Sequence, residues 1–206
     1  MPDEEDKSLV RTRVRQIVER VPQADLRQAS DRLAERVLAW TPIEHARCVM
    51  VFLSMPGEAD TAELVHRLMA RGVKVAVPRV DWDGRVLTPA ELRDAEADIV
   101  EGRHGVPEPA PHAPAVAMAS VDVVLVPGVA FDLRGFRLGR GGGFYDRLLA
   151  RPDRRGLALG LALEAQLISR VPTEPHDARL DAVATERRLL EINGPRIAAV
   201  LDDVGR

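Results

Sequence analysis

Apolar residues recur through the first forty positions at helical spacing. Between residues 4 and 21 they fall at Val10, Val14, Ile17, Val18 and Val21, one face of a helix that Pro22 ends. A second stripe, Leu26, Ala29, Leu33, Val37 and Leu38, predicts a helix from about Gln23 to Leu38, closed by Trp40 and Pro42. Beyond it the pattern changes to short, mainly apolar runs, which suit strands. These are Cys48 to Leu53, Val73 to Val77, Val123 to Val126 and Gly156 to Leu163. Thr61 is placed to cap a helix carrying Leu64, Val65 and Leu68. Residues 81 to 89, around Asp83-Gly84, read as a hairpin or exposed turn, and Glu91 to Glu101 as a charged, weakly amphipathic segment. Pro107, Pro109, Pro111 and Pro114 stiffen a loop, and residues 194 to 206 read as a C-terminal tail. Strands alternating with helices predict one α/β domain over residues 1–206, with three layers around a mostly parallel sheet.

The candidate chemistry gathers after the third strand, which stops at Pro127-Gly128. Arg137, Gly139, Arg140, Gly141, Gly142 and Gly143 follow, and then Phe144, Tyr145 and Asp146 open a helical pattern that runs to Leu149. Glycines there let the backbone turn several N–H groups toward one point, while two arginines supply bidentate donors for the same anion. Asp146 suits a divalent metal carried in with a polyphosphate. The run admits two readings, a phosphate-binding loop and a plain tight turn. It is not a Walker A motif, because no Gly-Lys-Ser/Thr follows, and it lacks the dinucleotide glycine spacing. Lys7, Arg11 and Arg15 lie four apart and form a cationic stripe on the first helix, either a solvated face or a partner for a triphosphate.

The stretch from Pro127-Gly128 through Phe131-Asp132 to Gly135–Asp146 closely resembles the signature of the 5-formyltetrahydrofolate cyclo-ligase family. Further similar segments are Lys7 with Arg11, Leu53-Ser-Met55 with Glu58 and Thr61, Pro78-Arg79, Gly105-Val-Pro-Glu108-Pro, and His176-Asp177 through Asp181 to Thr185-Glu186. The resemblance implies a Rossmann-like fold and an ATP- and Mg²⁺-dependent conversion of 5-formyltetrahydrofolate to 5,10-methenyltetrahydrofolate through a phosphorylated formyl group. It implies ATP binding by Lys7, Arg11, Arg137, Gly139, Arg140, Gly141, Gly142, Gly143, Phe144, Tyr145 and Asp146, with Arg137, Arg140 and Tyr145 catalytic. Leu53, Met55, Glu58, His104, Glu108 and Phe144 would hold the folate, and Asp146 with Asp181 the metal. Three positions differ from the pattern. His104 stands where relatives carry Tyr or Trp, Gly142 where they often carry Lys, and Phe144 where they carry Tyr.

Composition narrows the alternatives. A balance of 29 basic against 32 acidic residues offers no global field for nucleic acid or anionic membranes, and 3% aromatics leave few stacking platforms for RNA. Cys48 is the one cysteine, so a disulfide within the chain and a cysteine-based metal cluster are excluded; its apolar neighbours read as a buried strand thiol. The acidic start and the lack of a long apolar run predict a cytoplasmic protein, expected as a monomer acting on small molecules. Two rivals stay open, a non-catalytic reduced-folate or nucleotide-binding regulatory protein and another phosphate-ligand enzyme such as a sugar-phosphate isomerase.

Overall fold

The computed structural model describes residues 6–204. Helix α1 (Lys7–Glu19) begins where the Asp6 carboxylate accepts from the Ser8 N–H, and it buries Val10, Val14 and Val18, whereas Ile17 turns outward at 41% exposure. Helix α2 (Gln23–Leu38) has the bounds that its apolar stripe predicts. After the short α3 (Thr41–Glu44), strand β1 (Cys48–Met50) enters the core, followed by α4 (Ala62–Ala70). Thr61 precedes α4 without capping it. Its hydroxyl donates to the Phe52 carbonyl, and the Asp60 carboxylate accepts from the Ala62 N–H instead.

Strands β2 (Lys74–Asp81) and β3 (Val86–Leu92) form an antiparallel hairpin, so part of the charged segment after Glu91 is strand. Two small strands, β4 (Ile99–Glu101) and β5 (Pro107–Pro109), then pair with each other. Strand β6 (Val123–Val126) returns to the sheet. Between it and the glycine run lies an unforeseen element, the hairpin β7 (Ala130–Phe131) with β8 (Arg137–Leu138). Helix α5 (Phe144–Leu149), β9 (Leu157–Leu161), β10 (Ala182–Ala184), β11 (Leu189–Glu191) and α6 (Gly194–Val204) complete the chain. Of the expected C-terminal tail, residues 194–204 are a packed helix, with Ile197 in the core at 3% exposure.

The sheet runs β11-β10-β9-β6-β1-β2-β3, with five parallel strands between two antiparallel edges. Alternate residues of each strand serve opposite faces. Val49, Val123 and Leu125 pack with α1, α2, α4 and α6, while Met50, Val124 and Val126 pack with Met118, Phe131, Leu148 and Leu149. The three layers are unequal: the second face is covered by the six-residue α5, loops and the β7–β8 hairpin rather than by long helices. That thin cover is what leaves space for a cavity beside the glycine run.

Candidate active site

The chain leaves β1 toward β2 on one side of the sheet and later returns to β6 on the other, so the carboxyl ends of β1 and β6 flank a switch in strand order, where open α/β sheets leave a crevice. A cavity of about 340 Å³ lies there. Phe52, Leu53, Met55 and Glu58 line it after β1, and Pro127 and Gly128 after β6. Arg137 and the glycine run through Asp146 form one wall; Pro78, Val80, Trp82 and Leu87 of the β2–β3 hairpin form the opposite one with Val106 and Pro107. The chain has two Trp, one Tyr and four Phe, and Phe52, Trp82, Phe144 and Tyr145 all face this space. Such a concentration suits a flat, partly apolar ligand.

Half of the glycine-rich signature is structural. A side-chain carbon on Gly128 would sit 2.7 Å from the ring of the fully buried Phe131, so glycine is the residue that lets the strand pass over it. The Asp132 carboxylate accepts from the Arg134, Phe136 and Val171 N–H groups and pairs with the Arg134 guanidinium, closing the turn of the β7–β8 hairpin. That hairpin delivers Arg137. Its guanidinium is buried, donating to Asp146 Oδ1 at 3.0 Å and to the Ala178 carbonyl at 3.2 Å, while Nε has no protein partner among the described residues. Burial pushes its pKa down and the Asp146 charge opposes that shift; guanidinium stays cationic. Burial raises the Tyr145 hydroxyl well above its ordinary range, Glu58 adds to the effect and Arg137 opposes it, so this phenol is a donor throughout the physiological range.

Arg140 reaches across the cavity floor. Its Nε donates to Glu58 Oε1 at 3.0 Å and its Nη2 to the Pro56 carbonyl at 3.0 Å, while Glu58 Oε2 accepts from the Met55 N–H. A second cavity of about 310 Å³ opens behind this pair, lined by Val14 and Arg15 of α1 and by Gln166, and Glu58 and Arg140 border both spaces. Gln166 holds the floor together by donating to the Gly128 and Val129 carbonyls. Arg11 approaches the glycine run, Nε donating to the Gly139 carbonyl at 2.8 Å; Gly141 and Gly143 adopt φ of 113° and 65°, which a side chain would strain. Lys7 is turned away to Asp177 at 2.9 Å and Glu174 at 3.5 Å. Arg15, Arg11 and Arg140 are thus brought toward one region, whereas Lys7 is engaged in an ion pair and lines neither cavity.

The opposite wall was not legible as a site. Trp82 stands edge-on to Phe144, ring centres 5.6 Å apart at 78°, and Arg147 stacks over Phe144 while donating to the Arg85 and Gly142 carbonyls, tying hairpin to glycine run. Two departures from the family pattern touch here: a side-chain carbon on Gly142 would lie 2.6 Å from the Phe144 ring. A tryptophan beside an Asp-Gly turn was the available signal. Glu108 does not line the cavity; its Oε1 accepts from the Trp82 indole N–H at 3.1 Å. The side chain of His104 lies outside the described residues.

Asp181 is not brought to Asp146. At 3% exposure it accepts from the Ala158 N–H and the Asn193 amide and faces Arg154 and Arg196, a structural role at the start of β10 that leaves it no share in the cavity. Glu174, His176 and Asp177 gather ligand atoms closely enough for a metal, but Lys7 pairs with two of them. Arg79 braces the proline-rich loop through the Ala110 and Ala113 carbonyls. Burial raises the Cys48 thiol to about 11, so it is protonated at neutral pH and inert as a nucleophile.

A model of the 5-formyltetrahydrofolate cyclo-ligase family matches residues 3–186. The chain belongs to that family of enzymes. The family's Escherichia coli K12 member, named 5-formyltetrahydrofolate cyclo-ligase, is 33% identical over 80% of this chain and 91% of its own length. The Mycolicibacterium smegmatis protein of the same name is 31% identical over 88% of this chain and 94% of its own. Among solved structures, the Aquifex aeolicus 5,10-methenyltetrahydrofolate synthetase superposes with a TM-score of 0.80 at 28% identity, covering 90% of this chain and 92% of that one. The expected α/β architecture with a mostly parallel sheet is thus the family's own fold. No helix among the described residues is long and apolar enough to cross a membrane.

Proposed function

We propose that this chain converts 5-formyltetrahydrofolate to 5,10-methenyltetrahydrofolate at the cavity between the glycine run and the β2–β3 hairpin, using ATP. The observation that carries the reading is that one cavity, in a member of the cyclo-ligase family, is lined both by the glycine run and by the Leu53–Glu58 loop. In this reading the aromatic corner receives the pterin, Glu58 accepts N–H donors from its polar edge, and the glycine run with Arg11, Arg137, Arg140 and Lys7 receives the phosphates. The γ-phosphoryl group passes to the formyl oxygen, N10 attacks the activated carbon and loses its proton, and phosphate leaves. Phosphoryl transfer asks the protein for alignment and charge neutralisation rather than a nucleophile. Arg137 and the protonated Tyr145 supply fixed donors where negative charge develops.

Asp146 fits a magnesium ion arriving with the polyphosphate. It is a carboxylate in the cavity wall beside the glycine run, and both of its hydrogen bonds from the protein fall on Oδ1. The metal would neutralise charge on the transferring group. Asp181 does not fit, since its oxygens already serve Ala158, Asn193 and two arginines. The cytoplasmic, monomeric form expected from the sequence belongs to the same reading.

The test is absorbance of the purified protein with 5-formyltetrahydrofolate, ATP and Mg²⁺, following the near-ultraviolet band of the methenyl product. Growth of the band only in the complete mixture supports the reading; a flat trace from folded protein that still binds the folate assigns a non-catalytic binder instead.

A further inference from the structure

We propose that Glu108 is a positioning residue: it fixes the Trp82 indole as the aromatic wall against which the flat ring of the folate lies, and does not itself touch the substrate. This rests on the folate reading of the cavity. Trp82 faces the cavity, whereas Glu108 sits behind it on β5, beyond the lining residues Val106 and Pro107. The only donor an indole has is its N–H, and a half-buried one needs an acceptor. Glu108 Oε1 provides it at 3.1 Å, with the added strength of a charged acceptor. The hydrogen bond at the ring edge restricts the second side-chain torsion, and so bears on which face of the indole meets the cavity.

Three further contacts show that this arrangement is held from several sides. The backbone under Trp82 is closed by Asp81, whose Oδ1 accepts from the Asp83 and Gly84 N–H groups at 3.2 and 2.9 Å. Phe144 braces the indole edge-on from the glycine run. The carboxylate of Glu108 lies where a side chain on Gly102 would be: a carbon there would be 2.5 Å from Oε1 and 2.7 Å from Cδ. Gly102 therefore leaves open the place from which Glu108 reaches the indole. A ligand that stacks on a pre-set ring avoids the entropy of ordering it, so the tether should appear in affinity rather than in turnover.

The experiment is a double-mutant cycle in the full-length protein, reading KM for 5-formyltetrahydrofolate, KM for ATP and kcat, with tryptophan emission on folate addition as a second signal. Glu108→Ala is expected to raise the folate KM about tenfold, with ATP KM and kcat within about twofold and a weaker emission response. Glu108→Gln keeps an oxygen acceptor and should restore most of the loss. Because Glu108 acts through the indole, Trp82→Ala combined with Glu108→Ala should be no worse than Trp82→Ala alone. Equal folate KM in Glu108→Ala and wild type overturns the inference, as does a further large loss from Glu108→Ala in the Trp82→Ala background. Melting curves check that each variant is folded; should Glu108→Ala fail to fold, the same comparison is made between wild type, Glu108→Gln and Gly102→Ala, the last expected to resemble a Glu108 loss. A wild-type protein that does not bind the folate overturns the reading of the cavity and the inference with it.

Discussion

Of the two walls that enclose the main cavity, the one carried by the glycine run is charged and its arginines are already paired, while the one carried by the β2–β3 hairpin presents a mainly apolar face whose indole donates to Glu108. Arg137 holds Asp146 and Arg140 holds Glu58; across from them Pro78, Val80 and Leu87 surround one indole fixed by Glu108. The difference is thermodynamic. A ligand meeting the charged wall must displace or share existing ion pairs, so its binding is coupled to partner exchange. A ligand meeting the apolar wall finds a surface set in advance, and gains chiefly by excluding water.

The largest effects should come from breaking the charged wall. Asp146→Asn and Arg137→Ala are each expected to lower kcat/KM for ATP by more than about tenfold, because charge-assisted contacts at a transferring phosphate contribute several kcal/mol. Arg137→Ala should also destabilise the protein, on the order of 3 kcal/mol in urea unfolding, since the arginine is 6% exposed and spans Asp146 and the Ala178 carbonyl. Wild-type ATP kinetics in both variants would remove the glycine run from the chemistry.

The next effect separates exchange from mere proximity. If phosphates draw Arg140 from Glu58, a non-hydrolysable ATP analogue should tighten binding of 5-formyltetrahydrofolate by roughly fivefold or more, and Arg140→Ala should abolish that dependence. Titration calorimetry with and without the analogue reads it directly; identical folate affinity in the two conditions means the pair is static.

Asp181→Asn makes a control outside both walls. It should cost about 1–3 kcal/mol of stability, the usual consequence of unbalancing a buried carboxylate network, while leaving the ATP and Mg²⁺ dependence of turnover unchanged. A raised requirement for Mg²⁺ would return this residue to the metal site.

The smallest effect concerns the Lys7–Asp177 pair. Burial pushes Asp177 up, but the Lys7 hydrogen bond, the Glu174 N–H and the Lys7 and His176 charges outweigh it, so its pKa is lowered from 3.8. A carboxylate with a lowered folded pKa adds stability that is present above the unfolded value and lost as pH falls through the folded one. Thermal melts from pH 6 downward should therefore show a loss beginning below about pH 4 that Lys7→Met makes shallower.

The residues of the charged wall were legible because they are neighbours in the chain. Arg137, Gly139 and Asp146 fall within one turn-and-helix segment, and glycines next to arginines have a chemical meaning without knowledge of distant partners. Helix bounds were legible for the same reason: the stripe from Leu26 to Leu38 and the stop at Pro22 act within a few residues. The β7–β8 hairpin escaped notice because its strands are two residues each, too short for a period to show.

What only the tertiary structure decided is which distant segments meet. The order β11-β10-β9-β6-β1-β2-β3 carries the hairpin with Trp82 over to Phe144, sets Glu58 opposite Arg140, and takes Asp181 to the buried start of β10, away from Asp146. By itself the sequence determined the alternation of strand and helix and the family to which the signature belongs, since periodicity and local motifs arise from adjacent residues. Sheet order and register arise from which apolar faces bury one another across the whole chain, and these decide whether a carboxylate such as Glu108 or Asp181 meets a ligand, an indole or a backbone N–H.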